Sequence, residues 1–325
     1  MRQRRATLRV LSSCDNACVF CAPDGLGALA PRPVDDLRAA LTALRADHDE
    51  VTFTGGEPTL HPDLAEVISA ARSAGFTRVG LQTNGRRLRE PGYAPALRAA
   101  GLTDVHLSLH GLAAAHDYHT GVEGSFTESA SGLVAARNAG LTVVVASVLT
   151  RSNARSLADL LPWLAARGVA AWTVVVPVTA GRLVGAFDRV FPRLAMALPP
   201  ALRALALTER QSLPAWIDGA PLCLLGPYAA RSLPGSPSRS YAAACEGCPA
   251  RSWCPGLDAA YLARFGGDEV SPARAPKGDP PRWSEREAAL TRTFVGPGAL
   301  GPGGAVLESA ARDEGRPRVS LPVAR

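Results

Sequence analysis

The sequence predicts an α/β chain: a partial (β/α)6 barrel, TIM-like in layout, with a small cysteine-rich C-terminal extension. Three observations predict it. Strand-like and helix-like segments alternate at roughly 30-residue spacing from Ala6 to Pro177. Residues with chemistry to offer stand just past the ends of the strand-like segments, at Cys14–Cys21, Gly55–Glu57, Thr83–Gly85 and Ser108–His110. That is the end at which α/β barrels build their sites. The seven cysteines divide into three near the start and four between Cys223 and Cys254.

The elements follow in order. Ala6–Ser12 reads as a strand and Pro33–Asp47 as a helix, with apolar positions at Leu37, Leu41 and Leu44. Glu50–Thr54 is the second strand. Asp63–Ala74 is a helix entered through His61-Pro62-Asp63 and stopped at Gly75. Arg78–Thr83 is a strand, Pro95–Ala100 a short helix and Asp104–Leu109 a strand. Phe126–Ala139 is a helix ended by Gly140, and Leu141–Leu149 a strongly β-branched strand. Ala154–Arg167 is a helix ended by Gly168, and Ala171–Pro177 is the sixth strand. Such repeats favour parallel pairing with right-handed crossovers, and six are too few for a closed eightfold barrel. Leu183–Ala206 is apolar and helical, broken by Pro192, Pro199 and Pro200. From Ser271 Pro and Gly are dense, which predicts a mostly flexible tail with a helix near Trp283–Thr293. The chain thus divides into a core barrel at 1–181, a cysteine-rich region at 182–270 and a Pro/Gly-rich tail at 271–325.

Composition narrows the class. A chain of 325 residues, 47% hydrophobic, suffices for one large domain and a small appendage. No apolar run reaches the roughly 18 residues of a membrane span. The basic start, Met1-Arg2-Gln3-Arg4-Arg5, leads into a strand pattern rather than a signal peptide, so the cytoplasm is the expected compartment. The net charge of +6 reads as a solvated arginine-rich surface, with steering of an acidic substrate as the alternative. No interleaving of basic and aromatic residues marks a nucleic-acid module. Cysteines split three and four suit two metal centres in a reducing compartment better than disulfides.

Cys14, Cys18 and Cys21 form a C-x3-C-x2-C run after the first strand. Three thiolates on one loop leave one corner of a cubane cluster open to a small molecule. A zinc knuckle with a borrowed ligand, or three packed cysteines, are the alternatives. Gly55-Gly56-Glu57-Pro58 follows the second strand. Its glycines let backbone approach a ligand and Glu57 can accept from an ammonium group, although a tight turn uses the same residues. Cys223, Cys245, Cys248 and Cys254, spaced C-x21-C-x2-C-x5-C, can ligate an auxiliary cluster or zinc.

Together the C-x3-C-x2-C and GGEP runs resemble the radical S-adenosylmethionine (radical SAM) superfamily over about residues 5–265. Leu81–Gly85, His106–Gly111 and Trp172–Pro177 with Gly181-Arg182 agree with it. The resemblance implies a [4Fe–4S] cluster on Cys14, Cys18 and Cys21. S-adenosylmethionine is then chelated at the open iron and cleaved to a 5′-deoxyadenosyl radical. It implies cofactor contacts from Gly55, Gly56, Glu57 and Pro58 to the methionyl amine, and from Ser108 to the ribose. It places Asn84 and Thr83 within reach, and Ser147, Val148 and Val175–Pro177 around the adenine. For Ser108 the alternative is a local hydroxyl–backbone bond, and for Thr83 and Asn84 an Asn-Gly turn. No catalytic residue is assigned. His106, His110, His116 and His119 are read as surface or packing residues, with His110 the candidate proton shuttle.

Cys245–Cys254 resembles the C-x2-C-x5-C core of SPASM or twitch extensions. The fuller pattern carries a further cysteine where this chain has Asp258, so a reduced version with one auxiliary [4Fe–4S] cluster, acting as an electron relay, is expected. The implied function is oxidation or cross-linking of a peptide or small-molecule substrate, with an electron donor such as flavodoxin or ferredoxin. One alternative is a nucleotide-modifying cyclase resembling the molybdenum-cofactor enzyme, against which the ending Pro322-Val323-Ala324-Arg325, without Gly-Gly, counts. The other is a non-catalytic zinc or iron–sulfur redox-sensing protein.

Overall fold

Alternation of short β-branched runs with amphipathic ones produces a sheet that grows in chain order. The computed structural model describes residues 5–22, 30–233, 240–272 and 284–292. The strands are β1 (Arg5–Leu11), β2 (Glu50–Gly55), β3 (Arg78–Thr83), β4 (Asp104–Ser108), β5 (Thr142–Val148), β6 (Ala171–Val175) and β7 (Ala215–Asp218). All neighbouring pairs are parallel, in the order β1 to β7. The crossovers carry α1 (Val34–Arg45), α2 (Leu64–Ser73), α3 (Tyr93–Ala100), α4 (Ala114–Thr120), α5 (Ser125–Asn138), α6 (Leu160–Ala166), α7 (Arg182–Val190) and α8 (Leu194–Arg210). Two further helices follow, α9 (Ala259–Phe265) and α10 (Glu285–Thr291). This is the expected partial barrel, open between β1 and β7.

The register sorts residues onto two faces, because neighbours across parallel strands share a side. Leu8 pairs with Phe53, Phe53 with Leu81, Leu107 with Val145 and Val145 with Trp172. These residues and their face-mates are fully buried in one core beneath the helices. At about 25 cal/mol per Å² of apolar area, this face supplies most of the folding drive. The other face lines the lumen and reads differently: Thr7, Thr52, Gly80 and Asp104 share one register, and Arg9 and Thr54, Gln82 with His106, Ser108 with Ala146 and Thr173, and Val148 with Val175 and Asp218 follow towards the strand C-termini. A sheet buried on both sides normally reads as continuously apolar. Here the inward positions of the first four strands are polar, and several near the mouth are half-buried.

The N-terminal end of the lumen is closed by charge. Arg5 donates from Nε to Glu50 (2.8 Å) and from Nη1 and Nη2 to Asp104 (2.7 and 3.2 Å). Arg78 reaches Asp104 at 3.3 Å, and Arg292, just past α10, reaches Glu50 at 3.3 Å. Leu290 of α10 packs with Val144, Ala171, Trp216 and Leu233. Burial raises the Asp104 carboxyl and the Arg5 and Arg78 guanidiniums more than reverse this, so it lies below the usual carboxylate range.

Four details depart from the sequence reading. β7 falls at 215–218, inside the region assigned to the cysteine-rich extension; four residues between Pro214 and Gly219 are too few to show a period. The helix expected from Ala154 starts at Leu160, with Pro162 in its first turn where proline is tolerated. The break at Pro192 separates α7 from α8, but α8 runs through Pro199 and Pro200. The carbonyls those prolines leave without a helical partner belong to Ala195 and Met196, which lie on the exposed side of the helix. The helix near Trp283–Thr293 is α10; the remaining tail segments, 273–283 and 293–325, lie outside the described residues. Among the described residues no single helix is long and apolar enough to cross a membrane, and α7 and α8, which together reach that length, meet at 85°.

Replacing Arg5 with Met removes the nearest cation from two buried carboxylates and leaves only the longer Arg78 and Arg292 contacts, which costs up to about 3 kcal/mol. Urea unfolding at pH 7 should show that loss. The group concerned has a depressed folded pKa, so its stabilisation is present above the unfolded value of about 3.9 and fades as pH falls through the folded value. The gap between native protein and Arg5→Met should therefore narrow below about pH 4.

Candidate active site at the strand C-termini

The three-cysteine loop does not hold itself. It leaves β1 and is fastened by four neighbouring loops. From the β2 loop, the Gly56 and Glu57 amides donate to the carbonyls of Leu11 (3.0 Å) and Ser13 (2.8 Å). From the β3 loop, Asn84 Nδ2 donates to Asp15 (2.6 Å), and Arg86 Nη1 donates to the Asp15 carbonyl (2.8 Å) and Asn16 Oδ1 (3.0 Å). From the end of α4, Thr120 and His119 carbonyls accept from Ala17 (2.7 Å) and Val19 (3.1 Å). From the β6 loop, the Arg182 amide donates to the Cys21 carbonyl (3.0 Å).

The glycines follow from these close approaches. A Cβ on Gly56 would sit 2.1 Å from the Ser13 carbonyl oxygen, and one on Gly181 would sit 2.5 Å from that of Cys21. Neither contact is possible for a real side chain, so both positions require glycine.

The Glu57 side chain is engaged by its own chain. It is 1% exposed. Its carboxylate accepts from the Thr59 amide (3.0 Å), the Thr59 hydroxyl (2.6 Å), the Thr83 hydroxyl (2.6 Å) and the Asn84 amide (2.7 Å). Burial pushes this carboxyl up, and the four donors pull it back. It is a brace between the β2 and β3 loops. Thr83 and Asn84 complete that brace: Gly85 donates to Thr83 Oγ1 and Arg86 to Asn84 Oδ1, the arrangement of an Asn-Gly turn.

The other expected site residues divide by strand parity. Ser108 and Val175 share the lumen face, since Ser108 pairs with Ala146, Ala146 with Thr173, and Val175 lies two residues beyond. Ser147 lies on the opposite face. Its hydroxyl donates to the Leu109 carbonyl and accepts from the Trp172 indole (2.9 Å) among the helices, away from the lumen. Gly55, Gly56 and Pro58 stand at the mouth beside the cysteine loop. The histidines expected at the surface or in packing are all buried: His106, His110, His116 and His119 are at most 3% exposed. His110 accepts from the Val148 amide (3.2 Å) and packs edge-on against Phe20, 4.6 Å away, between the second and third cysteines. Burial holds it neutral, well below the usual imidazole range. It is a wall behind the loop. Asp15, Arg86 and Thr179 carry no mark in the sequence; nothing in their spacing points to them, because their partners come from distant loops.

The three thiols are half-buried and near enough to influence one another. Burial pushes Cys14 and Cys18 up to about 12, with Cys21 and Cys14 adding to the effect at Cys18. Burial raises Cys21 too, against the pull of Arg182. The Asn16 amide donates to Cys14 Sγ at 3.4 Å. Protonated, buried, clustered thiols are a poor bargain unless a metal draws the protons off.

The four remaining cysteines lie together as well. Cys223, Cys245, Cys248 and Cys254 line one hollow with Tyr241, Leu257 and Val270. Leu222 (3.5 Å) and Gly256 (3.4 Å) donate amides to Cys254 Sγ. Amide bonds to sulfur are a means by which proteins tune iron–sulfur clusters. Among the described residues no three Cys, His, Asp or Glu side chains converge on a single-ion position. A lone zinc, with Zn–S of about 2.3 Å, requires thiolates about 3.8 Å apart, whereas a cubane takes each thiolate on a separate iron. Three thiols on one loop and four around one hollow each supply the donor chemistry of an iron–sulfur cluster.

Residues 8–163 match the sequence profile of the Radical SAM superfamily. The chain carries a radical SAM domain. Such a domain uses a [4Fe–4S] cluster together with S-adenosylmethionine. The AdoMet-dependent heme synthase of Nitratidesulfovibrio vulgaris is 31% identical over 187 residues, 56% of this chain and 50% of that protein. The GTP 3′,8-cyclase of Vibrio cholerae is 29% identical over 171 residues, 50% of this chain and 51% of that one. The chain thus spans about half the length of the curated relatives it matches. The structure of SuiB from Streptococcus suis, bound to precursor peptide SuiA, superposes with a TM-score of 0.57 at 17% identity, over 69% of this chain and 50% of SuiB. That likeness establishes the shared fold of the radical SAM domain.

Gly56→Ala removes the approach that fixes the loop and touches none of the residues lining the four-cysteine hollow. After anaerobic reconstitution, Gly56→Ala protein should hold roughly half the iron of the native chain. Full iron retention would show that the β2 loop is not needed to shape the site.

Proposed function

We propose that this chain is a radical SAM oxidoreductase that cleaves S-adenosylmethionine and oxidises or cross-links a peptide or small-molecule substrate held in the barrel lumen. The observation that carries the reading is the meeting of the Cys14, Cys18 and Cys21 loop with the β2, β3, α4 and β6 loops above a polar lumen. In this reading those three thiols hold a [4Fe–4S] cluster. With the cluster and S-adenosylmethionine bound, reductive cleavage supplies a 5′-deoxyadenosyl radical that removes a hydrogen atom from the substrate.

The chain's own work is positional. Backbone at Gly55–Pro58 lies where it meets the methionyl end, and Glu57 fixes that backbone rather than reaching the ammonium itself. Ser108 and Val175, on the lumen face, stand towards the ribose and adenine. Phe20 and His110 wall the loop on one side and keep water from it. Cys223, Cys245, Cys248 and Cys254 would fully ligate a second cluster, and the chemistry such a cluster would supply there is acceptance of the electron left on the substrate. An external one-electron donor such as flavodoxin or ferredoxin reduces the first site.

Anaerobic protein given S-adenosylmethionine and dithionite should release 5′-deoxyadenosine, and the Cys14→Ala, Cys18→Ala, Cys21→Ala triple variant should not. Equal product from the two proteins would defeat the proposal.

A further inference from the structure

The two cysteine sites are tied together by a single acidic side chain. Asp258 lies four residues after Cys254, at the position where fuller SPASM patterns carry another cysteine. Both of its oxygens are engaged. Oδ2 accepts from the Thr179 amide at 2.9 Å. Oδ1 accepts from the Thr179 hydroxyl at 2.7 Å and from the amides of Ala260 (3.0 Å) and Tyr261 (3.1 Å), where it caps α9. Four donors on one carboxylate, 8% exposed, leave it no part as a metal ligand.

The partner matters more than the cap. Thr179 belongs to the β6 loop, two residues before Gly181 and three before Arg182. Those are the residues that pack on and donate to the Cys21 carbonyl. On the other side, Gly256, two residues before Asp258, donates its amide to Cys254 Sγ. A continuous path therefore runs from Cys254 through Gly256 and Asp258 to Thr179, and through Gly181 and Arg182 to Cys21. Its one link across the fold is the Asp258–Thr179 pair.

We propose that Asp258 is a positioning residue that sets the separation and relative orientation of the two cysteine sites. The proposal rests on the reading that each site carries a cluster. A carboxylate is suited to the task because both oxygens accept: one holds Thr179 N–H while the other holds the hydroxyl and the cap. A second tie, the Leu194 amide donating to Tyr261 Oη at 2.9 Å, keeps α9 against α8. Loss of the Asp258 link thus shifts the four-cysteine segment without detaching it.

Asp258→Asn separates the two roles. Its remaining carbonyl oxygen still caps α9, but its NH2 group faces the Thr179 amide, donor against donor. The holoprotein, with both centres reduced, is examined by EPR for the magnetic interaction between them, alongside its iron content. Asp258→Asn should keep the native iron count, about eight per chain, and show a weakened or shifted interaction. Thr179→Val, which loses only the hydroxyl, should fall between it and the native protein. A native-like interaction in Asp258→Asn, with Asp258→Ala alone perturbed, would reduce the residue to a helix cap and overturn the proposal. Loss of iron from the four-cysteine site in Asp258→Asn overturns it as well, since the residue is then needed to form that site. An iron count of about four in the native chain would instead defeat the two-cluster reading, which is a separate failure.

Discussion

Everything at the mouth of this barrel depends on backbone amides holding a loop that has no regular structure of its own. Eight residues carry three thiols, and the shape they take is decided by hydrogen bonds from four other crossovers. An amide–carbonyl bond contributes only about 1 kcal/mol net, so no single one of them fixes the loop. Their number and their origin in strands already locked by the outer core do so. The glycines at 56 and 181 are the condition for it: each removes a side chain that would hold two backbones apart. Glu57 extends the same logic one step outward, since it ties the β2 loop to the β3 loop that in turn holds Asp15.

The sheet supports this by carrying two unlike faces. Its outer face is apolar and fully buried, and it fixes strand order and register. Its inner face is polar in the first four strands, which is unusual for parallel strands and has a use only if the lumen holds something polar. That freedom has a cost at the closed end, where carboxylates and guanidiniums are taken out of water together. Buried ion pairs of this kind are weak sources of net stability, and Arg5, bidentate on Asp104, is kept in place by what its absence would expose.

Six of the seven strands were legible because each is a β-branched or apolar run bounded by a turn signal. The three- and four-cysteine sets were legible from spacing alone, and so was their position after strands. What the sequence did not disclose was direction. Ser108 and Ser147 are both serines near strand ends, yet one residue of parity sends the first to the lumen and the second to Trp172. Glu57 is an acid after two glycines, but whether it faces a ligand or its own chain depends on Thr59, Thr83 and Asn84 converging from 2 to 27 residues away. The prolines of α8 misled because propensity argues locally, while the burial of Ala197, Leu198, Ala201 and Leu205 decides globally. Asp258 was visible only as a cysteine missing from a pattern.

The two cysteine sites differ in how far the fold prepares them, and on the proposed two-cluster reading this sets what metal binding must do at each. The first loop is shaped by neighbours that exist without any metal, so much of its ordering entropy is spent when the barrel folds. Loading it is mainly a matter of removing protons from thiols that burial has made reluctant to ionise. The second set hangs on short 3-10 turns between β7 and α9, with few regular hydrogen bonds between them. For such a segment, binding free energy is also folding free energy. The link from Asp258 to Thr179 therefore joins a rigid site to a more pliant one, and the rigid site is the natural reference against which the other is placed.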